Sequence, residues 1–554
     1  MFQQLKSKIN NVMWMSISNN MFQKVSTHNN PSSDQYNLTN KYKSRLDITE
    51  DEEMHGWRLQ EDMLYNNLPI DAPTQNVKGE NNQIPPLEQC FNTELQLDTD
   101  KIYGRKKQKR TMMISASETV VGKLGKDTCS ADILCVIDIS GSMGGEKLNN
   151  VKTTLKYLVH ILQGSRLALI AFDTKSETIM NFKNVTEASS ENMFKVIESL
   201  QARGSTNITA AIENVQSLLA SRQSRNQVCS VFFLSDGQHN QGPISQEIMF
   251  GEDYKKAKSE YTLHTFGYGD DHDAALMQGM AERKSGNYYF VHDVKRVDEC
   301  FVDCLGMVTT ALAESGMIRI TLKPSASGSV IRPIESHGPH AKVVNEKTVE
   351  CEMLTIYAGL HKDFVFDVEF IPGGTHGGEP EEIEAELYFE FNKLGAQDLT
   401  KTSKIVKFRV VDDGGVDAQS QQGQVDSSAS NNNSAVTKNI LRVKAATVLK
   451  TVNTLCASNQ KEIALTLVTG FISELEKVPT GLTADPLVQC LNSVMTTTKD
   501  LLLGDPSKSN FKIENYLVQQ INIFSNQASA PLFDQGGIFA TARQQENVAK
   551  LKNQ

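Results

Sequence analysis

The sequence contains no long apolar run: nowhere does it reach the roughly eighteen consecutive apolar residues that a membrane-spanning helix needs. The N-terminal segment places Phe2, Leu5 and Ile9 at helical spacing with lysines between them, and it lacks the continuous apolar core of a secretory signal. We therefore expect no membrane span and no secretory signal. We predict a short docking helix at the start of the chain instead.

Paired cysteines of the kind that bind zinc are also missing. None of the nine cysteines forms a Cys-x-x-Cys pair, so we expect no structural zinc site of the usual spacing. Cys135 and Cys229 fall inside apolar, strand-like runs, and the odd count fits reduced, buried thiols. Such thiols are typical of an intracellular protein, and we expect a cytoplasmic location.

Excess positive charge is absent as well. The net charge is −10, with 39% hydrophobic and 22% charged residues, which is the composition of a globular protein. An acidic chain has no general attraction for nucleic acid or anionic membranes, so we expect no nucleic-acid partner. The one basic stretch, "GRKKQKR" (104–110), is interpreted as a solvated segment before a strand.

Composition and apolar spacing change several times along the chain, which predicts several domains. The start is rich in Asn, Gln, Asp and Lys without apolar patterns, and we expect this arm to dock on a partner. The predicted segments are an extended low-complexity arm (1–110), a leading strand or linker (111–130), an α/β domain (131–314), a β-sandwich (315–412), a flexible linker (413–434), a helical bundle (435–527) and a tail (528–554).

The α/β domain is predicted from near-continuous apolar strands that alternate with amphipathic helices. This pattern indicates a doubly wound, mostly parallel, Rossmann-like sheet with helices on both faces, and "TIMNF" (178–182) has the character of an edge strand. Short β-rich runs then predict an antiparallel β-sandwich, and apolar helical spacing predicts a small bundle after it. Ligands of such parallel sheets bind beyond the carboxyl ends of the strands.

One loop stands at that end of a strand: "DISGSMGG" follows the apolar run "ADILCVI". The loop lacks the GxxxxGK[ST] pattern of a phosphate-binding loop, and it lacks the GxSxG pattern of a nucleophilic serine. A phosphoryl-transfer enzyme that uses Asp138 is left open by spacing alone. It would need a general base or a lysine at the rim, and none can be assigned from the sequence.

A metal site explains more of the sequence. Asp138, Ser140 and Ser142 alternate, so their side chains can point at one place. "GSTNIT" supplies Thr206 just before a helix, and "FFLSDGQ" supplies Asp236 at the end of a buried strand. Hydroxyl and carboxylate oxygens are the ligands that Mg²⁺ prefers. The sequence therefore predicts a magnesium site at this edge of the sheet.

The combination of DxSxS, a distant Thr in a GSTN context and SDG after an apolar strand resembles the von Willebrand factor A domain and its metal-ion-dependent adhesion site. The resemblance implies that Ser140, Ser142 and Thr206 contact the metal, and that Asp138 and Asp236 act directly or through water. It implies Mg²⁺, with Mn²⁺ or Ca²⁺ as alternatives. It also implies that the sixth position takes an Asp or Glu carboxylate from a partner protein.

A narrower resemblance comes from the run "HTFGYGDDHDAALMQGMAERKSGNYYFV" and the "VDECFVDCLGMV" after it. These segments resemble the intracellular subgroup, such as the plant RING-type ubiquitin ligases, in which a β-rich and a helical region follow. Inter-alpha-trypsin inhibitor heavy chains are more distantly similar. No cysteine-rich RING can be built here, so ligase activity is not implied.

Asp270, Asp271, His272 and Asp273 follow a strand and are predicted to lie on the same rim as the metal. Two interpretations are open: a second contact surface for a partner, or a helix N-terminus, where acidic residues suit the helix dipole. The second is the simpler, and we favour it.

We therefore predict a non-enzymatic, metal-dependent protein-binding module within an intracellular scaffold. The alternative is a constitutive structural subunit of a large cytoskeletal or ciliary assembly, in which the metal site is incidental. The long polar arm favours that alternative, and chelation of metal should not release such a subunit.

Overall fold

The structure is a computed structural model of the 554-residue chain. It describes residues 91–99, 102–103, 106–118, 130–226, 228–236, 239–240, 261–269, 272–284, 286–291, 297–374, 381–393, 399–411, 433–504, 513–528, 538–541 and 544–545. All of them belong to one compact unit, residues 59–554. The predicted arm before residue 91, and most of the predicted linker and tail, lie outside the described residues.

Within these ranges the strands are β1 (Phe91–Leu97), β2 (Ile102–Tyr103), β3 (Gln108–Glu118), β4 (Ala131–Asp138), β5 (Arg166–Phe172), β6 (Ser176–Asn184), β7 (Val228–Ser235), β8 (Thr262–Tyr268), β9 (Tyr288–Val291), β10 (Ala311–Leu322), β11 (Val330–His337), β12 (Ala341–Asn345), β13 (Thr348–Tyr357), β14 (His361–Ile371), β15 (Glu381–Lys393) and β16 (Leu399–Val411). The helices are α1 (Glu146–Ile161), α2 (Glu187–Glu198), α3 (Ile208–Ala220), α4 (Ala274–Arg283), α5 (Val297–Val308), α6 (Ser434–Ala457), α7 (Lys461–Leu475), α8 (Thr480–Thr483), α9 (Pro486–Leu503) and α10 (Ile513–Asn526).

The α/β domain is built on a six-stranded sheet of order β6-β5-β4-β7-β8-β9. All pairings are parallel except that of the edge strand β6, which is antiparallel and contains the predicted "TIMNF". Every residue of β4, β5 and β7 is buried, as their continuous apolar sequences require. The chain runs outward from β4 in one direction and from β7 in the other, so their carboxyl ends meet where ligands of such sheets bind.

Helices cover both faces of this sheet, which confirms the predicted doubly wound fold. On one face Ile208 of α3 and Met277 of α4 join Phe233 of β7 in a buried apolar cluster. On the other face Phe301 of α5 packs with its ring centroid 5.5 Å from that of Phe232. The strand therefore alternates its aromatic side chains between two apolar layers.

Strands β10 to β16, joined by β1, β2 and β3, form the predicted antiparallel β-sandwich. One sheet has the order β1-β3-β14-β11 and the other β12-β13-β10-β15-β16-β2. Among the described strands of these two sheets, only β2 pairs in parallel, with β16. Strand β15 has the sequence pattern of a sheet with one buried face: its buried residues alternate with glutamates and Tyr388 along "EEIEAELYFEF". The alternating, inward-facing residues of β15 are Ile383, Ala385, Leu387, Phe389 and Phe391.

The predicted arm is wrong for the described residues 91–99, 102–103 and 106–110, because strands run through this region. Strands β1 and β3 pair with each other, and β3 also pairs with β14 from His361↔Ser117 to Phe370↔Gln108. Residues 111–118, predicted as part of a leading strand or linker, continue β3 and thus belong to the sandwich rather than to the α/β domain. Apolar side chains at Phe91, Leu95 and Leu97 alternate with polar ones, but the Asn- and Gln-rich composition of the region outweighed this short pattern.

Two further predicted boundaries differ slightly from the structure. Strand β10 begins at Ala311, paired with Tyr357, so the sandwich starts before the predicted residue 315. Helix α6 begins at Ser434, because the Asn433 side chain accepts hydrogen bonds from the backbone N–H groups of Ala435 and Val436. The last residues of the predicted linker therefore belong to a helix cap.

The C-terminal helices fasten the sandwich and the α/β domain to each other. Asn522 of α10 donates a hydrogen bond of 3.2 Å to the Tyr288 carbonyl of edge strand β9, and Gln519 accepts one from the Phe290 N–H. Arg442 of α6, which is buried, donates to the Asp363 carbonyl of β14 at 2.9 Å. Among the described helices, none combines the length and apolar character needed to cross a membrane.

Candidate metal centre

The loop after β4 is held in place by its own backbone. The Ile139 N–H donates to the Phe172 carbonyl of β5 at 2.8 Å, and residues Gly141–Met143 form one turn of 3₁₀-helix. Gly145, with φ of +79°, then redirects the chain into α1. This backbone conformation is accessible to glycine and costly for other residues, which explains the glycine at this point of "DISGSMGG".

Four of the five predicted ligands lie together at the carboxyl ends of β4 and β7. The hydroxyl oxygens of Ser140 and Ser142 are 3.1 Å apart, and the Ser142 hydroxyl donates to Oδ1 of Asp236 at 2.7 Å. Asp138 faces the same loop: its Oδ1 accepts from the Ser140 N–H at 2.8 Å and its Oδ2 from the Ser235 hydroxyl at 2.5 Å. The positions of these four residues directly after buried strands were enough to predict that they lie at one edge of the sheet.

Thr206, the fifth predicted ligand, lies on the neighbouring loop before α3. That loop is tied to the first one by hydrogen bonds from the Gly141 N–H to the Gly204 carbonyl at 3.1 Å and from the Arg203 N–H to the Ile139 carbonyl at 2.6 Å. Thr206 is buried, and among the described residues its hydroxyl forms no hydrogen bond with the other four side chains. The loop that contains Thr206 thus lies beside the site, but the Thr206 side chain is not hydrogen-bonded to the other four predicted ligands.

Two residues that the sequence reasoning missed support the Thr206 loop. Asn240 accepts a hydrogen bond from the Thr206 N–H at 2.9 Å, and Asp173 accepts one at its carbonyl from the Asn207 N–H at 2.8 Å. Asp173 follows the buried strand β5, so an acidic residue at a strand end was an available signal. Asn240 follows β7 by a few residues and carried no such signal.

Both carboxylates of the site are closed to solvent. Burial raises the pKa of Asp138 to about 6, and the hydrogen bonds from the Ser235 hydroxyl and the Ser140 N–H oppose that shift. Asp236 forms an ion pair with Lys147, the second residue of α1. Since both oxygens of Asp138 accept hydrogen bonds and the side chain is 0% exposed, Asp138 is poorly placed as a nucleophile for phosphoryl transfer.

The spacing of the oxygen atoms fits a small divalent cation. Neighbouring ligands around an octahedral ion with metal–oxygen distances of 2.0–2.1 Å lie about 2.9 Å apart. The Ser140–Ser142 and Ser142–Asp236 oxygen distances are 3.1 and 2.7 Å. Ser142 is exposed, so one side of the cluster faces solvent. In the part of the chain that the structure describes, no three His, Cys, Asp or Glu side chains are grouped for a metal, so a site here would be rich in hydroxyls.

The residues that follow β8 have structural roles where they are described. Asp273 caps α4, since its Oδ1 accepts from the Leu276 N–H at 2.9 Å. His272 is buried and lies 2.6 Å from the Tyr288 hydroxyl through Nε2. These contacts support the helix N-terminus interpretation, while Asp270 and Asp271 lie outside the described residues.

Comparison with known proteins agrees with this geometry. The sequence model of the von Willebrand factor type A domain matches residues 132–301. The chain is 26% identical over 226 residues to an uncharacterized protein of Synechocystis sp., covering 39% of this chain and 52% of that protein. It is 29% identical over 239 residues to the E3 ubiquitin-protein ligase WAV3 of Arabidopsis thaliana, covering 43% of this chain and 30% of the ligase. The chain thus spans about half, or less, of the length of these relatives.

A solved structure shares the fold over a longer range. The von Willebrand factor type A protein of Catenulispora acidiphila is similar with a TM-score of 0.54, over 78% of this chain and 96% of that protein, at 12% identity. The similarity in fold therefore extends beyond the α/β domain. The sequence match to WAV3 confirms the resemblance to the plant ligases. Residues 132–301 of this chain are a von Willebrand factor type A domain.

Proposed function

We propose that this chain is a protein-binding scaffold whose von Willebrand factor type A domain grips an Asp or Glu side chain of a partner through a bound Mg²⁺ ion. Ser140, Ser142 and Thr206 would supply hydroxyl ligands, and Asp138 and Asp236 would act directly or through water. Mn²⁺ or Ca²⁺ could replace Mg²⁺ in the same oxygen site. The proposal carries no catalytic step.

One observation supports the site above all others: the convergence of Ser140, Ser142 and Asp236 oxygens at distances of 3.1 and 2.7 Å. A bound divalent ion would supply a positive charge that attracts a carboxylate. The chain's own residues determine how much of that charge remains, since hydroxyl ligands are neutral and two of the five proposed ligands, Asp138 and Asp236, are carboxylates. The exposed side at Ser142 is where a partner's side chain would enter.

The asymmetry between Asp138 and Ser142 supports the division of roles. Asp138 is fully buried, and its two oxygens are engaged by Ser140 and Ser235. A carboxylate on the buried side of the loop orients the loop and would balance part of the positive charge of the bound ion. Ser142 is open to solvent and would remain close to the incoming group.

Hydrogen bonds between the domains support the proposal that the chain is a scaffold. Helix α10 donates to and accepts from edge strand β9 through Asn522 and Gln519, and Arg442 of α6 donates to β14, so the domain with the proposed metal site is hydrogen-bonded to its neighbours. The described cysteines are free, which fits a reducing compartment and supports the proposal of a cytoplasmic location.

The experiment is affinity capture with the full chain from native lysate, in Mg²⁺ or in EDTA. It compares the wild type with Ser140→Ala/Ser142→Ala and with the control Ser217→Ala, an exposed serine of α3. We expect the same partners to be lost with chelation and with the double substitution, and retained with the control. Partners that persist in every condition would contradict the metal grip and favour a constitutive structural subunit.

A further inference from the structure

Lys147 reaches into the metal site from the first turn of α1. Its ammonium group forms an ion pair with Oδ2 of Asp236, whose side chain is fully buried, while 32% of the Lys147 side chain is exposed. The ammonium also lies against Gly269, where an added Cβ would be 4.0 Å from Nζ. Lys147 therefore reaches from α1 to the carboxyl ends of β7 and β8.

The two oxygens of Asp236 have different partners. Oδ1 accepts from the Ser142 hydroxyl at 2.7 Å, and Oδ2 accepts from Lys147. A buried carboxylate without a cation beside it is costly, and the lysine supplies that cation within the chain. A divalent ion that binds near Asp236 would meet this positive charge at short range.

The charges of the site can be counted. Asp138 and Asp236 contribute two negative charges and Lys147 one positive charge, so the site without metal carries −1. A divalent ion brings it to +1, and one partner carboxylate then brings it to zero. Without Lys147, the two carboxylates would neutralise the ion and leave no excess charge for a partner.

We propose that Lys147 is a built-in competitor of the metal, which stabilises the metal-free site, lowers its affinity for divalent cations and leaves the loaded site positive. This inference rests on the proposed metal site and adds how its loading is regulated. The lysine keeps binding reversible, since the ion must displace or repel the ammonium at Asp236.

The test measures Mn²⁺ affinity by electron paramagnetic resonance, and melting temperature in EDTA, with the full chain. Two variants remove the charge, Lys147→Met and Lys147→Gln, so the test still stands if one of them fails to fold. A third variant, Lys147→Arg, retains the charge. The control is Lys156→Met. Lys156 lies on the same helix, is 35% exposed, and pairs with Glu198 away from the site.

We expect the neutral variants to bind Mn²⁺ about tenfold tighter than the wild type, because a repelling unit charge is removed at short distance. We also expect them to melt at a lower temperature in EDTA. Lys147→Arg and Lys156→Met should stay within about twofold of the wild-type affinity.

Two results would overturn the inference while leaving the metal site intact. Neutral variants that bind no tighter than a Mn²⁺-binding wild type would show that Lys147 does not compete. Tighter binding by Lys147→Arg as well would show that side-chain shape, not charge, is responsible. A wild type that binds no Mn²⁺ is a different outcome, since it overturns the proposed metal site together with this inference.

Discussion

The Asp132 carboxylate and the Arg166 guanidinium form a bidentate ion pair, with Nε–Oδ1 and Nη2–Oδ2 distances of 2.7 and 2.6 Å. Both side chains are 0% exposed. Arg222 adds a third contact to Asp132 at 2.9 Å. Strand β4 thus carries a buried aspartate near each end. Asp132 is neutralised by arginines at the amino end, whereas Asp138 at the carboxyl end is surrounded by hydroxyls and a backbone N–H.

We predict that Asp132→Asn destabilises the fold by about 3–5 kcal/mol, because it leaves two buried guanidinium groups without their counter-charge. Urea unfolding followed by circular dichroism measures the change. The control is Glu191→Gln, which breaks an exposed pair with Lys195 and should cost under about 0.5 kcal/mol. Equal stability of the two variants would contradict the assignment of Asp132 as a structural anchor.

Two adjacent glutamines of α10 should respond in opposite ways to substitution by leucine. Gln519 accepts a hydrogen bond from the Phe290 N–H at the sheet edge, so Gln519→Leu removes this buried hydrogen bond and costs about 1–3 kcal/mol. Gln520 is 0% exposed, and neither of its amide atoms has a partner within the described chain, so Gln520→Leu should be neutral or stabilising.

Hydrogen exchange at the Phe290 amide measures this difference directly. We expect faster exchange in Gln519→Leu and unchanged exchange in Gln520→Leu. Identical protection of Phe290 in both variants would show that Gln519 does not hold the sheet edge.

The pairs His361–Asp363 and His337–Asp367 should make stability depend on pH. The hydrogen bond to the carboxylate raises the pKa of each histidine. Burial acts to raise the pKa of both aspartates, but hydrogen bonds from the histidines hold it below the usual value. The histidine contribution is complete below about pH 6.5 and is lost as the pH rises through the folded-state pKa; the aspartate contribution is lost on acidification below about pH 4.

We therefore expect His337→Gln/His361→Gln to lower the melting temperature more at about pH 5.5 than at about pH 8.5. The pairs are partly exposed, so their total contribution is about 1 kcal/mol or less. His160→Gln, at an exposed position of α1, is the control. A penalty that is equal at the two pH values would contradict the paired-histidine account.

Thr206→Val should weaken Mg²⁺ binding by about tenfold or more, because it removes one proposed hydroxyl ligand while keeping the shape of the side chain. The fold should be retained, since the hydrogen bonds between Thr206 and Asn240 use the Thr206 backbone. Isothermal titration calorimetry with Mg²⁺ alone gives the affinity. A variant with wild-type affinity would remove Thr206 from the ligand set.

The α/β fold and four of the site residues followed from local patterns in the sequence. Buried parallel strands are nearly continuous apolar runs, and polar residues directly after such strands must meet at one edge of the sheet. The order of Asp138, Ser140, Ser142 and Asp236 was therefore enough to place them together.

The remaining features depend on contacts between distant parts of the chain. Strand β3 pairs with β14, some 250 residues away, and no local pattern specifies such a partner. Lys147 pairs with Asp236, 89 residues further along the chain, and the Asn240 side chain accepts from the Thr206 N–H across 34 residues. Spacing in the sequence cannot fix either geometry.

The most direct test of the account is calorimetric titration of the full chain with Mg²⁺, comparing the wild type with Ser140→Ala/Ser142→Ala and the control Ser217→Ala. We predict one Mg²⁺ site in the wild type and in the control, and its loss in the double variant. Unchanged Mg²⁺ binding in the double variant, or no binding by the wild type, would contradict the claim that this loop holds a metal.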